Sequence, residues 1–238
     1  MEKFLNQKVI KQIEEAFGEM KEPVEVLYFG SQDQCDTCAE TQQLLEEVTA
    51  VNDKIQQSVY DLQENRDIAE RFNVTNAPGI VIAAKNDADV KNLGVQFSGT
   101  PSGYEFSTLI NDILAVSRRN SGLTETTREF LKQLDQPVHL QVFVTPSCPY
   151  CPRAVLLAHQ MAMENPQMIR AEGVEATEFP ELANRFNVRG VPQTVINSGA
   201  GIVVGAVPEQ NLLAEIMRAL QNQSNPNRQS DDKEEGSP

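Results

Sequence analysis

The chain has 238 residues, of which 40% are apolar and 23% charged, a composition typical of a globular protein and unlike that of a disordered or fibrous one. Its formal net charge is −14, and so acidic a surface repels phosphate backbones and anionic lipids, which argues against nucleic acid and membranes as partners. No apolar run reaches the roughly 18 residues of a membrane-spanning helix. The first twenty residues are rich in Lys and Glu, unlike a signal peptide, so we expect a cytoplasmic protein.

This length suits two domains of roughly 100 to 120 residues each, and the sequence contains an internal repeat. Residues 71–82 match residues 185–196 at seven of twelve positions, with an offset of 114. Two C-x-x-C motifs, at Cys35/Cys38 and Cys148/Cys151, are offset by 113. The sequence therefore predicts two copies of one structural unit, each with its own cysteine pair.

Both halves show the same order of predicted elements: helix, strand, helix, strand, helix, strand, strand, helix. Amphipathic stripes predict the helices, and apolar β-branched runs predict the strands. In the first half, the best defined segments are 5–17 (helix), 24–29 (strand), 80–84 and 95–98 (strands) and 104–117 (helix). In the second half, they are 123–134 (helix), 138–144, 194–197 and 202–205 (strands) and 209–221 (helix).

The element order predicts an α/β fold, with a mixed central sheet flanked by helices in each half. A β-α-β start forms a right-handed parallel crossover, whereas two short strands joined by a turn pair antiparallel. We expect domains at residues 1–119 and 120–221. Residues 222–238 contain no aliphatic, aromatic or sulfur-bearing side chain, so we expect them to form a disordered polar tail.

Each cysteine pair is predicted to lie where a strand ends and a helix begins. Unpaired N–H groups and the helix dipole at that place favour a thiolate. A second cysteine three positions on shares the helical face and can resolve a mixed disulfide. Pro149 has a fixed φ that suits a first helical turn. In a reducing compartment, such pairs are redox dithiols or metal ligands.

The motif Cys148-Pro149-Tyr150-Cys151 resembles the glutaredoxin active site. The order of elements, with Val191-Pro192 placed 44 residues after Cys148, is similar to the thioredoxin fold. Two such units in tandem resemble the prokaryotic two-domain glutaredoxin-like protein disulfide oxidoreductases. The resemblance covers residues 1 to about 221 and is most specific in the second half.

That resemblance implies two tandem thioredoxin-like folds and thiol–disulfide exchange on protein disulfides. Cys148 would be the nucleophile and Cys151 the resolving cysteine, with Cys35 and Cys38 as a second redox pair. The family's prolines are cis and lie beside the substrate. The implied substrate-binding residues are Ala77, Pro78, Pro149, Tyr150, Val191 and Pro192.

The resemblance implies no bound cofactor beyond the redox-active disulfides. The sequence has no Gly-x-Gly-x-x-Gly fingerprint, so flavin or NADPH would reside on a partner reductase resembling thioredoxin reductase. The other implied partners are proteins with disulfides and a peroxiredoxin.

Two features depart from the family pattern. The insert Asp36-Thr37 is unusual, and the Asp36 carboxylate disfavours a thiolate at Cys35. We therefore expect Cys35 to have a higher pKa than Cys148, and the first pair to be more reducing and slower. Val142 stands where thioredoxin has a buried Asp, so proton handling at the second pair would resemble that of glutaredoxin or use water.

Other interpretations remain open at the level of sequence. The chain is also similar to the tandem thioredoxin-fold domain of the flavoprotein of the alkyl hydroperoxide system, which implies electron relay to a peroxiredoxin. A chaperone-like binding module would use the proline loops without redox chemistry. Four thiolates could hold one zinc ion, or a pair could be a static disulfide.

Three further side chains have ambiguous sequence contexts. His159, about two turns after Cys151, is interpreted as structural rather than as a proton shuttle, and His139 likewise. Glu175 follows a predicted strand and either caps the helix expected near Glu178 or supports catalysis as an acid. We favour capping or plain solvation, and we expect no metal site.

Overall fold

A computed structural model describes residues 3–33, 35–87 and 89–224 of the chain. The first half contains eight elements in the predicted order. They are α1 (Gln7–Phe17), β1 (Val24–Gly30), α2 (Cys38–Thr49), β2 (Ile55–Asp61), α3 (Arg66–Phe72), β3 (Gly79–Asn86), β4 (Asp89–Ser98) and α4 (Glu105–Arg118).

The second half repeats this order and adds a short 3-10 turn at Asn197–Gly199. Its elements are α5 (Glu125–Lys132), β5 (Val138–Val144), α6 (Cys151–Glu164), β6 (Ile169–Glu175), α7 (Pro180–Arg185), β7 (Gln193–Ile196), β8 (Gly201–Val204) and α8 (Glu209–Ser224). Because α8 continues to Ser224, residues 222–224 are helical rather than part of the expected tail. The remainder of that predicted tail, residues 225–238, lies outside the described residues.

Each half forms a mixed four-stranded sheet, as predicted. In the first half, β1 pairs parallel with β2 and antiparallel with β3, and β3 pairs antiparallel with β4. In the second half, β5 pairs in the same way with β6 and β7, and β7 pairs with β8. The apolar sequences of β1 and β5 explain their central places, since nearly every residue in them is buried.

The two sheets are joined into one, which the sequence did not predict. The strand order is β2-β1-β3-β4-β6-β5-β7-β8, and β4 pairs parallel with β6 from Val95↔Ala171 to Ser98↔Val174. Gly173 permits this close joint: a Cβ atom there would lie 3.1 Å from Val155 Cγ1 and 3.3 Å from Phe97 Cδ1. The halves therefore share a continuous eight-stranded sheet.

Buried side chains also connect the two halves. One large apolar core extends across both halves on one face of the sheet and includes Leu45, Ile113, Leu140 and Met161. Smaller clusters lie beneath α3 and α7 on the opposite face. The shared core holds α4 against α6 and thereby positions the loops that precede both helices.

Across the described ranges, no helix combines the length and the apolar content needed to cross a bilayer.

Candidate active site

Both cysteine pairs are closed as disulfides, Cys35–Cys38 and Cys148–Cys151, with Cα atoms 5.4 and 5.5 Å apart. Cys38 and Cys151 are the first residues of α2 and α6, which follow β1 and β5. The predicted placement between strand and helix is therefore confirmed. In this oxidised state each cysteine is paired within its own motif, and none is free.

The two disulfides lie at the same edge of the sheet. β1 runs antiparallel to β3 and therefore parallel to β4, while β4 is parallel to β6 and β6 to β5. The carboxyl ends of β1 and β5 consequently point the same way. Both redox centres occupy this edge, with the loops around the β4–β6 joint between them.

Accessibility differs within each pair. The Cys148 side chain is 7% exposed and Cys151 is fully buried. In the first pair, Cys35 is half-buried and Cys38 is buried. In both motifs, the first cysteine is thus the more accessible to an incoming sulfur atom.

Hydrogen bonds from both halves hold the first motif. The Tyr28 hydroxyl donates to the Cys38 carbonyl at 2.7 Å, and burial raises the pKa of Tyr28 to about 12, so the donor stays protonated. The Ser31 N–H lies 3.4 Å from Cys38 Sγ. The Thr37 hydroxyl donates to Glu178 of the second half. The first redox centre is therefore tied directly to the other domain.

In the second motif, the two residues between the cysteines are exposed. Tyr150 is 69% exposed, and the Cys148 N–H donates to the Thr145 carbonyl at 3.1 Å. Since α6 begins at Cys151, Pro149 lies in the preceding turn, and Pro152 occupies the first helical turn instead. The expectation that Pro149 belongs to the helix is therefore wrong.

The prolines predicted to be cis are cis: the peptide bonds are Ala77–Pro78 and Val191–Pro192. Each proline immediately precedes a strand whose first residue pairs with the end of the strand leading into a cysteine motif, Gly79 with Phe29 and Gln193 with Phe143. Each cis proline thus lies at the same end of the sheet as the cysteine pair of its own half. Ala77 and Val191 are half-buried.

A buried carboxyl group from the first half, Glu105, lies at the level of the second disulfide. The Tyr104 N–H donates to the Pro146 carbonyl at 3.0 Å, and two turns along α4 the Asp112 carboxylate lies 2.7 Å from His159 Nδ1 on α6. The two helices therefore run side by side in the same direction. This alignment puts Glu105 level with the first turn of α6, which begins at Cys151.

The environment of Glu105 raises its pKa to about 7, with burial as the main cause. The side chain is 3% exposed, its Oε2 accepts a bond from the Thr108 hydroxyl at 2.8 Å, and its Oε1 has no partner among the described residues. Such a carboxyl group can exchange a proton near neutral pH. Val142 is apolar and buried as expected, and the sequence does not indicate that Glu105 is a buried acid in the helix packed against α6.

The two histidines have structural partners. His159 is fully buried, with Nδ1 against Asp112 and Nε2 3.0 Å from the Gln96 carbonyl. Arg170 donates to His139 Nδ1 at 3.1 Å, which leaves His139 Nε2 as the N–H facing Glu172 at 3.4 Å. Both ring nitrogens of each histidine are therefore engaged.

Glu175 caps the turn before α7, and capping is one of the two roles favoured from the sequence. Its Oε2 accepts bonds from the Glu178 N–H and the Thr177 hydroxyl, both at 2.6 Å. The following helix, α7, begins slightly later than expected, at Pro180. Glu175 Oε1 is buried without a hydrogen-bond partner among the described residues.

Comparison with known proteins identifies the same fold. A family model described as the thioredoxin domain matches residues 138–218. The crystal structure of a protein disulfide oxidoreductase from Aeropyrum pernix K1 is 32% identical, covers 89% of this chain and 91% of its own, and has a TM-score of 0.81. A domain of alkylhydroperoxide reductase from Enterococcus faecalis has the same TM-score at 22% identity, covering 90% of this chain and all of its own.

Other relatives have lower sequence identity to this chain than the Aeropyrum protein has, and they are longer than this chain. The alkyl hydroperoxide reductase AhpF of Escherichia coli K12 is 25% identical over 189 residues, which is 78% of this chain and 32% of that protein. An NADH dehydrogenase of Ferdinandcohnia aciditolerans is 23% identical over 73% of this chain and 33% of its own length. The chain spans about a third of the length of these curated relatives. The extensive match to the Aeropyrum protein, together with two C-x-x-C disulfides on tandem thioredoxin-like folds, shows that the chain belongs to the protein disulfide oxidoreductases.

Proposed function

We propose that this chain exchanges dithiols and disulfides with protein substrates, with Cys148 and Cys151 as its principal redox pair. The observation that carries the proposal is a C-x-x-C disulfide at the start of α6, at the same end of the sheet as a cis proline. Cys148 is slightly exposed and Cys151 fully buried, and this order of access suits a nucleophile and a resolving cysteine.

In the reducing direction, the Cys148 thiolate attacks one sulfur of a client disulfide. A mixed disulfide forms, and one client sulfur leaves as a thiolate. Cys151 then attacks Cys148 Sγ, which closes the disulfide of this chain and releases the second client thiolate. Two electrons pass to the client, and each client thiolate takes up one proton.

Glu105 is proposed to accept the proton that Cys151 must lose before it attacks. A carboxyl group with a pKa of about 7 is ionised in part of the molecules at neutral pH and can therefore act as a general base. Its location in the other half means that the second redox centre needs both domains.

Client backbone is proposed to lie along the cis-proline loops. Val191 and Ala77 precede the cis bonds and remain partly accessible, whereas Pro192 and Pro78 are buried and shape the loops. Exposed Pro149 and Tyr150 would contact the client beside Cys148.

The first pair is proposed to be a second redox centre that either acts on other substrates or exchanges electrons with the second. Its half-buried Cys35 supports access by a sulfur nucleophile. The exposed Asp36 carboxylate is adjacent in sequence and opposes ionisation of the Cys35 thiol.

A second candidate function is electron relay to a peroxiredoxin. It is favoured by the matches to alkyl hydroperoxide reductase AhpF, which cover 78% of this chain in the Escherichia coli protein and 86% in the Pseudomonas aeruginosa protein. In that role, flavin and NADPH would belong to a separate reductase resembling thioredoxin reductase. A cytoplasmic location, proposed because the motifs work as dithiols in a reducing compartment, suits both functions.

The test is insulin-disulfide reduction by the wild type, by the Cys35→Ser/Cys38→Ser variant and by the Cys148→Ser/Cys151→Ser variant. Dithiothreitol serves first as the electron donor, followed by a purified thioredoxin reductase with NADPH. We expect the second variant to lose most of the activity. Full activity in that variant would overturn the assignment of the principal pair.

Two further measurements separate the alternatives. Reduction of a purified peroxiredoxin at a rate well above that of insulin would favour the relay. If a variant with all four cysteines changed to serine still suppressed client aggregation while the wild type reduced no disulfide, a binding module would replace the redox proposal.

A further inference from the structure

A cavity of about 570 Å³ lies between the two redox centres. Thr37, which immediately precedes Cys38, lines one side, and Pro146, two residues before Cys148, lines another. Both halves contribute walls, because α1, α2 and the β4–α4 loop belong to the first half and the β6–α7 loop to the second. The cavity is therefore within reach of a segment bound at either disulfide.

Its lining is apolar with acidic groups. The apolar residues in the lining are Phe4, Leu5, Val9, Leu44, Phe106 and Pro146. The charged residues in the lining are all acidic: Glu40, Glu175 and Glu178.

This charge pattern distinguishes the cavity from three other cavities of similar size. Each of those is lined by at least one arginine, such as Arg170 or Arg119. An apolar ligand with a cationic group therefore fits the cavity between the redox centres better than an anionic one.

The three carboxylates have no cationic partner among the described residues. Glu178 accepts bonds from neutral donors, the Thr37 hydroxyl and the Thr100 N–H, the latter at 2.7 Å. Glu175 keeps one buried oxygen without a partner. Glu40 is exposed in the first turn of α2. Their negative charge is thus available to a bound cation.

We propose that this cavity is a docking site for client segments in which a bulky apolar side chain is followed by lysine or arginine, close to the client cysteine. The apolar side chain occupies the space between α1 and the β4–α4 loop, and the cationic group lies at the carboxylates. The proposal rests on the proposed function and specifies its substrate class. One docking site then serves both disulfides.

Apolar burial and electrostatic attraction both favour binding of such a client segment. Transfer of a large apolar side chain from water into the cavity stabilises the bound client, and a cavity of this size falls in the usual range for ligand pockets. The net charge of −14 also attracts basic clients over distances longer than the contact itself.

The test uses three disulfide-cyclised peptides that differ only in the two residues beside one cysteine: Leu-Lys, Leu-Glu and Gly-Lys. Their reduction by the full chain is compared with that of hydroxyethyl disulfide, which is too small to need docking. We expect kcat/KM for the Leu-Lys peptide to exceed that of each other peptide about tenfold, equivalent to ~1.4 kcal/mol. Equal kcat/KM values for the three peptides would refute the docking site.

Two variants of lining residues test whether the preference for the Leu-Lys peptide arises at this cavity. Glu40→Lys should remove the discrimination between Leu-Lys and Leu-Glu, whereas Glu129→Lys, the same charge change at an exposed position on α5, should keep it. Val9→Trp, from a half-buried lining position, should reduce activity on the Leu-Lys peptide and not on hydroxyethyl disulfide. Unchanged discrimination in Glu40→Lys or undiminished Leu-Lys activity in Val9→Trp would overturn this placement.

Activity on hydroxyethyl disulfide distinguishes failure of the docking proposal from failure of the proposed redox function. If the wild type reduces hydroxyethyl disulfide without discriminating among peptides, the docking proposal fails and the redox function stands. If it reduces neither the peptides nor the small disulfide, the proposed function itself fails.

Discussion

At the scale of single residues, the proposed proton acceptor of the second redox centre is a side chain that the sequence does not connect with that centre. Glu105 precedes Cys148 by 43 positions and belongs to the other repeat. No motif or periodicity marks it, because its proximity arises from the packing of α4 beside α6. The cysteines and cis prolines, in contrast, were predicted because their spacing repeats in both halves.

The buried Glu105 predicts a specific pH dependence of stability. Its pKa is raised to about 7 in the folded chain and returns to near 4.5 on unfolding. Between these values the folded state binds more protons at Glu105, so the contribution of Glu105 to the free energy of unfolding falls as pH rises from about 4.5 to 7 and then levels off. Glu105→Gln should remove this slope and gain about 1–3 kcal/mol at pH 8.

Urea denaturation of both proteins from pH 4.5 to 8 measures this difference. The same variant should also lose the ionisation near pH 7 from the pH profile of insulin reduction. An unaltered stability slope in Glu105→Gln would contradict the assigned environment, and an unaltered activity profile would contradict the proton-accepting role.

A second prediction at this scale concerns Asp36. Its carboxylate should raise the pKa of the Cys35 thiol in the reduced protein, because a nearby negative charge disfavours the thiolate. Asp36→Asn should therefore lower the Cys35 pKa and speed its alkylation at neutral pH. Thiolate absorbance, titrated in proteins that retain only Cys35 or only Cys148, provides the measurement. A Cys35 pKa below that of Cys148 would refute the predicted order.

At the scale of elements, the sequence predicted the order in both halves because buried strands and amphipathic helices have clear periodicities. The elements predicted from the sequence are too short where their terminal residues are polar. β4 begins at Asp89 rather than Val95, and its first residues alternate between exposed and half-buried. The polar last turn of α8 likewise continues beyond Gln221. Apolar patterning cannot reveal such ends, since solvent covers them.

The joint between β4 and β6 gives the third prediction. Gly173→Ala should destabilise the chain by about 1–2 kcal/mol, because the added methyl group would contact Val155 and Phe97 closely. Gly190 is the matched control: nothing lies within 4 Å of a Cβ atom there, so Gly190→Ala should change stability little. Guanidinium unfolding measures both, and equal stabilities would contradict the tight joint.

At the scale of the whole molecule, the shared sheet and core predict cooperative unfolding. The buried pair Asp112 and His159 adds a polar link between the halves. Calorimetry should show one transition, with equal calorimetric and van't Hoff enthalpies. Two resolved transitions would contradict this coupling. The sequence indicated two domains, but it contained no signal for the β4–β6 pairing, which joins strands of different repeats.

The order in which the two halves are joined along the sheet makes the surroundings of the two disulfides different. The fourth strand of the first half pairs with the second strand of the second half, while β2 and β8 lie at the outer ends. A two-fold axis would give both disulfides identical neighbours, whereas this head-to-tail joint cannot. Thr37, beside Cys38, donates to Glu178 in a loop of the second half, whereas Pro146, before Cys148, accepts from Tyr104, which precedes α4 of the first half. Even identical motifs would therefore experience different surroundings, so the asymmetry between the two centres is inherent in how the copies are joined.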